Sequence, residues 1–167
     1  IKFDRMKQFS MLDIIKPAVS LNDVAGLEGA KRLISEAEWI WKNPERAEEF
    51  GLKPVSKILF VGLPGCGKSY ICEAAANTLG LDLARAGIAK AMDKFVGESE
   101  NRIQQIFNQI NQLAPIAVWM DELGRDLSGG DSSGYTDGGT TSRVHGLFLT
   151  AMQELNPGVF LFAAANN

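Results

Sequence analysis

Gly62-Leu-Pro-Gly-Cys-Gly-Lys-Ser69 is the stretch that decides the fold of this 167-residue chain. It reads G-x-x-x-x-G-K-S, a pattern whose glycines let the backbone wrap around phosphate oxygens. Alone, such a pattern also arises as an ordinary glycine turn. Its flanks argue otherwise. Lys57-Ile-Leu-Phe-Val61 is an apolar run of the right length for a short buried strand, and Tyr70-Ile-Cys-Glu-Ala-Ala-Ala-Asn77 is alanine-rich and helix-forming. Strand, glycine loop and helix in that order form a P-loop, with loop N–H groups converging on an anion at the positive end of the helix. In that setting Lys68 supplies a point charge for β- and γ-phosphates, and the Ser69 hydroxyl is placed to ligate Mg²⁺.

Downstream, Leu81–Ala86 alternates like a strand, and Gly87–Gly97 reads as a loop or short helix. Glu98–Leu113 is an amphipathic helix with Ile103, Ile106, Phe107, Ile110 and Leu113 on one face, ended by Pro115. Ile116–Met120 is continuously apolar, as a strand buried on both faces would be. Ser128–Gly139 is rich in glycine and serine and reads as a loop. Helical spacing resumes near Thr141 through Leu155, and Val159–Ala164 is a fourth strand.

Upstream, Leu27–Trp41 has helical spacing. Asn43 is a candidate N-cap for a short helix that begins at Pro44 and ends at Gly51. Leu21–Gly26 reads as a turn, and residues 1–20 form a lead-in of weak periodicity. The alternation of strands and helices predicts an α/β fold, a parallel sheet with helices on both faces.

The second chemical cluster is Asp121-Glu122, directly after the apolar run at Ile116–Met120. Ligands of open α/β sheets bind beyond the carboxyl ends of strands. If the strand at 116–120 lies beside that at 57–61, Asp121 reaches a Mg²⁺ held by Ser69, and Glu122 can act as general base on water. Adjacent acids also occur at strand tips for solubility alone. Asn166, at the tip of the fourth strand, is placed to hold water or touch a γ-phosphate, or is simply a polar strand end.

The bulk properties narrow the function. A net charge of −3 and a pI near 5.2 argue against a general nucleic-acid binder. The two cysteines, Cys66 and Cys72, read as reduced thiols of a cytosolic-type compartment, because a bridge between them would distort the loop. His145 has no ligand partners nearby in sequence and reads as a packing residue. The apolar runs are too short for a bilayer helix, and no signal peptide opens the chain. Opening on Ile1 rather than Met, the chain reads as a piece of a longer one.

Together these residues resemble the AAA branch of the AAA+ ATPases, from Ser20 to Asn167. In that resemblance Gly62–Ser69 is the Walker A motif, with Pro64, Gly65, Cys66, Gly67, Lys68, Ser69 and Tyr70 around the phosphates. Val118–Glu122 is the Walker B motif. Asn166 is at the sensor-1 position, and Leu21–Leu27 is similar to the stretch that wraps the adenine through Asp23, Val24 and Ala25. Phe95-Val96-Gly97 is similar to an aromatic pore loop that grips a polypeptide. Gly97–Ile103 and Gly139–Gln153 are similar to a plastid-encoded and bacterial subgroup.

The resemblance implies a P-loop NTPase-type large subdomain over residues 21–167, incomplete at its C-terminus, preceded by the lead-in at 1–20. It implies a cytoplasmic or organelle-stroma ATPase that uses ATP and Mg²⁺, with Glu122, Asn166 and Lys68 catalytic and Ser69 and Asp121 on the metal. It also implies self-association into a ring, a hexamer, that threads protein. Two departures stand out. Gly124 replaces the second acid of D-E-I-D, and no arginine finger, sensor 2 or helical small domain follows Asn166. Because arginine fingers contribute on the order of 10³ or more in rate, this stretch alone should be a weak ATPase. The alternatives are a nucleotide-gated assembly module with little turnover, and a P-loop ATPase acting on nucleic acid.

Overall fold

A computed structural model describes residues 11–87, 96–121 and 138–166. In chain order the elements are β1 (Leu12–Ile15), a 3-10 turn (Leu21–Asp23), α1 (Glu28–Lys42), α2 (Pro44–Glu49), β2 (Lys57–Val61), α3 (Lys68–Leu79), β3 (Leu83–Ala86), α4 (Val96–Leu113), β4 (Ile116–Met120), α5 (Gly138–Gln153) and β5 (Val159–Ala165). The five strands form one sheet in the order β1-β3-β4-β5-β2. Four of them run parallel, and β1 joins the edge of β3 antiparallel, pairing Leu12 with Ala86 and Ile15 with Leu83.

Side-chain alternation along the strands builds two cores. Ile116, Val118 and Met120 of β4 and Val159, Leu161 and Ala163 of β5 face one side, with Ile103, Ile106, Phe107 and Ile110 of α4 and Phe148 of α5. Ala117 and Trp119, with Phe160, Phe162 and Ala164, face the other, with Ile34 of α1 and Ile71, Cys72, Ala74, Ala75 and Ala76 of α3. The alanine run allows α3 to lie close on the sheet: Ala74, Ala75 and Ala76 are all fully buried. Aromatic edges lock both layers, Phe107 on Phe148 with ring centroids 5.6 Å apart and Trp41 on Phe160 at 5.2 Å. At the outer strand β2, Ile58 enters the second core while Leu59 and Val61, on the other face, are 59% and 61% exposed.

The expected α/β sheet with helices on both faces is present, and it differs from the sequence expectations in four places. First, β1 lies inside the lead-in of weak periodicity, for which no strand is expected. Second, β5 separates β2 from β4, so the strands at 57–61 and 116–120 are not neighbours. Third, α4 begins at Val96 rather than Glu98, and α5 at Gly138, inside the glycine-serine stretch. Fourth, Asn43 makes no side-chain cap to α2; its amide donates instead to the Trp39 carbonyl at 2.9 Å and closes the end of α1. An Asn between two helices can satisfy orphan groups of either, and the last turn of α1 has carbonyls to offer.

Candidate phosphate site

The candidate site assembles at the carboxyl ends of β2, β4 and β5. The chain leaves β2 at Val61, and the Gly62 amide donates to the Ala165 carbonyl at 3.3 Å, so the loop starts fastened to the end of β5. Gly65 and Gly67 hold φ of 80° and 88°, a region that costs a residue with a Cβ about 1–2 kcal/mol. Gly67 is the N-cap of α3 and offers no side chain to its first turn, which also carries no acidic residue. The first amides of α3 are thus open to an outside acceptor, as a phosphate loop requires.

Lys68 is folded back over this loop. Its ammonium donates to the carbonyls of Gly62 (2.8 Å) and Leu63 (2.9 Å) and lies 3.7 Å from the Cys66 sulfur. The charge is therefore held against the main chain of the loop, where two carbonyl oxygens accept from it. The ammonium offsets the partial negative charge of those two carbonyls, and Lys68 also lines the cavity beside the loop.

A cavity of about 180 Å³ opens at this point, lined by Pro64, Gly65, Gly67, Lys68 and Ser69 from the loop, Trp119 and Asp121 from the end of β4, and Asn166 beyond β5. The acid of β4 and the hydroxyl of the loop thus share one cavity although β5 lies between their strands. The bridging strand contributes Asn166 in the middle. The hydroxyl of Ser69 and the carboxylate of Asp121 are hard oxygen donors of the kind that would suit Mg²⁺. Cys72 lies beneath, fully buried in α3, its thiol pushed well above the ordinary range by burial and secondarily by the negative charge of Asp121.

The cavity does not take in every residue the sequence suggested. Cys66 and Tyr70 are exposed beside it and do not line it. Asp23, Val24 and Ala25 lie in and after the 3-10 turn, which packs on α3, and none of the three lines the cavity. The Asp23 carboxylate accepts from the Ser20 amide at 2.8 Å, and Val24 is buried in the second core. Val96 opens α4. Glu122 and Phe95 lie outside the described residues. Trp119 was missed as a site residue. Its apolar character was absorbed by the strand reading, yet it stands two residues before Asp121 on the same pleat face, which is the signal that would have found it.

Residues 58–167 match the family model described as ATPase family associated with various cellular activities (AAA). Among similar proteins, an uncharacterized AAA domain-containing protein, ycf46, of Guillardia theta is 32% identical over 97% of this chain and 31% of its own length. An ATPase family protein 2 homolog of Caenorhabditis elegans is 35% identical over 90% of this chain and 21% of its own, and Protein SAV of Sulfolobus acidocaldarius is 34% identical over 90% and 19%. The chain spans less than a third of the length of these relatives. Among the described residues no helix is long and apolar enough to cross a membrane. The matched residues run from within β2, through the loop and Asp121, to Asn167, so they contain the whole cavity, and the chain belongs to the AAA ATPase family.

Proposed function

We propose that residues 21–167 are the large nucleotide-binding subdomain of a Mg²⁺-dependent ATPase that works as a ring, a hexamer, on polypeptide substrates in the cytoplasm or an organelle stroma. The observation that carries the nucleotide-binding core of this reading is the convergence of the loop, Asp121 and Asn166 on one small polar cavity. The loop amides and Lys68 bind the phosphates. Cys66 and Tyr70 flank them, and Asp23, Val24 and Ala25 receive the adenine. Ser69 and Asp121 hold Mg²⁺, which when bound draws charge from the β- and γ-phosphate oxygens.

Asn166 orients water near the γ-phosphate, and Glu122, the residue after Asp121, takes its proton as general base. The water oxygen bonds to phosphorus as the bond to the ADP oxygen breaks, releasing inorganic phosphate. Phe95 and Val96 contact the polypeptide, and a neighbouring subunit supplies an arginine to the phosphates. The acidic balance of the chain favours a protein over a nucleic-acid substrate.

In the ring-forming, full-length protein, Glu122→Gln should leave ATP binding within about threefold and reduce phosphate release on the order of 10²-fold or more, the size of a general-base contribution. Nucleotide binding by calorimetry and phosphate release measured side by side test this. Unchanged turnover would remove Glu122 from the chemistry.

A further inference from the structure

The helix that begins at the phosphate loop also grips the segment before α1. Ala18 donates its amide to the Glu73 carboxylate at 3.3 Å, and the Asn77 side-chain amide donates to the Val19 carbonyl at 2.8 Å. Glu73 and Asn77 are four residues apart and so share one face of α3. Both bonds are made to main chain, so they fix the path of residues 18 and 19 whatever side chains those carry. Directly after this grip, Ser20 and Asp23 close a capping box: the Ser20 oxygen accepts from Asn22, the Asp23 carboxylate accepts from Ser20, and the 3-10 turn is set. Val24 then enters the same core that Ile71, Ala74 and Ala75 of α3 help to form.

One rigid helix therefore carries the phosphate loop at its first residue and, by a grip at Glu73 and Asn77, the turn that leads to Ala25. The grip at Asn77 lies about 14 Å along the helix from Lys68, at 1.5 Å per residue, and the chain runs from there through the 3-10 turn to Val24. Neither side chain is needed to bury α3: Asn77 is exposed and Glu73 half-buried. We infer that Glu73 and Asn77 are positioning residues that hold the nucleobase-binding segment at a fixed distance from the phosphate loop, so that the base contributes to affinity. This rests on the proposed assignment of Asp23, Val24 and Ala25 to the adenine.

The test compares ATP with inorganic tripolyphosphate, which engages the loop but has no base, by calorimetry on the full-length protein with Mg²⁺ present. Wild type should bind ATP more tightly than tripolyphosphate. Asn77→Ala and Glu73→Ala should each weaken ATP about three- to tenfold, the size of one lost hydrogen bond, and leave tripolyphosphate unchanged. Glu73→Gln, which keeps the acceptor oxygen, should retain wild-type ATP affinity. Unaltered tripolyphosphate binding also reports that each variant is folded, so a general loss of structure is not mistaken for the effect. If wild type binds neither ligand, the phosphate-site reading fails and this inference with it. If wild type binds both equally, the adenine assignment fails. If wild type discriminates and the alanine variants discriminate equally well, the grip has no role in the site and the inference alone is overturned.

Discussion

The two ends of the parallel sheet are built on opposite plans. At the carboxyl ends, a cavity of about 180 Å³ is lined by glycines, Lys68, Ser69, Asp121 and Asn166. At the amino ends of β2 and β5 lies a cleft of about 650 Å³ between α1, α2 and the strand starts, lined largely by Ile40, Trp41, Pro44, Ala47, Leu52, Pro54, Pro157 and Phe160. The larger space is the poorer place for chemistry. Its aromatic floor, Trp41 on Phe160, is a packing contact, and its polar groups, Glu48, Lys53 and Ser56, do not belong to any strand tip that converges with another. The smaller one has few apolar walls and gathers donors from three strand ends. Size and catalytic competence are separate properties: apolar volume comes from side chains that pack loosely, whereas a reactive site comes from main chain and charge brought to one point.

That contrast predicts effects that separate by end. The largest is at the amino end. Phe160→Ala removes a ring that is 1% exposed and should destabilise the fold by about 3–5 kcal/mol, read by urea denaturation. Titration at low temperature should still find ATP affinity within about twofold, since the ring is remote from the phosphates; a tenfold loss would show that the two ends are coupled.

Next comes Lys68→Ala. It should weaken ATP by roughly a hundredfold, on the order of 2–3 kcal/mol for a charge-assisted contact, while the denaturation midpoint moves little. A collapse of stability would instead make the bonds from Lys68 to Gly62 and Leu63 a structural staple first. The smallest is Leu52→Ser on the cleft rim. With the side chain 45% exposed, stability should stay within about 0.5 kcal/mol and ATP affinity should not change. Any measurable loss of affinity would mean that the apolar cleft takes part in nucleotide binding.

What the sequence made legible was local. The loop, its leading strand and its following helix rest on glycine spacing and on periodicity within a dozen residues, and the structure has them at those positions. Asp121 and Asn166 were legible because each ends an apolar run, and a strand tip in a parallel sheet faces the ligand edge. Strand order was not legible. Nothing in Lys57–Val61 or Ile116–Met120 says that Val159–Ala165 will insert between them, since that choice depends on crossovers and not on local pattern.

The strand β1 escaped notice for a different reason. Leu12-Asp-Ile-Ile15 is four residues long, only Leu12 is buried, and an edge position lets Asp13 face solvent. Trp119 was hidden by belonging to two patterns at once, a buried strand and a cavity wall.

The insertion of β5 also dictates when the site comes into being. Its partner β2 lies about 100 residues earlier in the chain, and such distant pairings are among the last to be made because loop closure must precede any reward. In chain order the glycine loop and its helix come before both β4 and β5, the strands whose ends lie opposite them. Only when β5 slots between β2 and β4 do Lys68 and Asp121 share a cavity, with Asn166 delivered by the same event. Nucleotide would then act as a late clasp, rewarding completed assembly of the sheet and giving no help to its half-built forms.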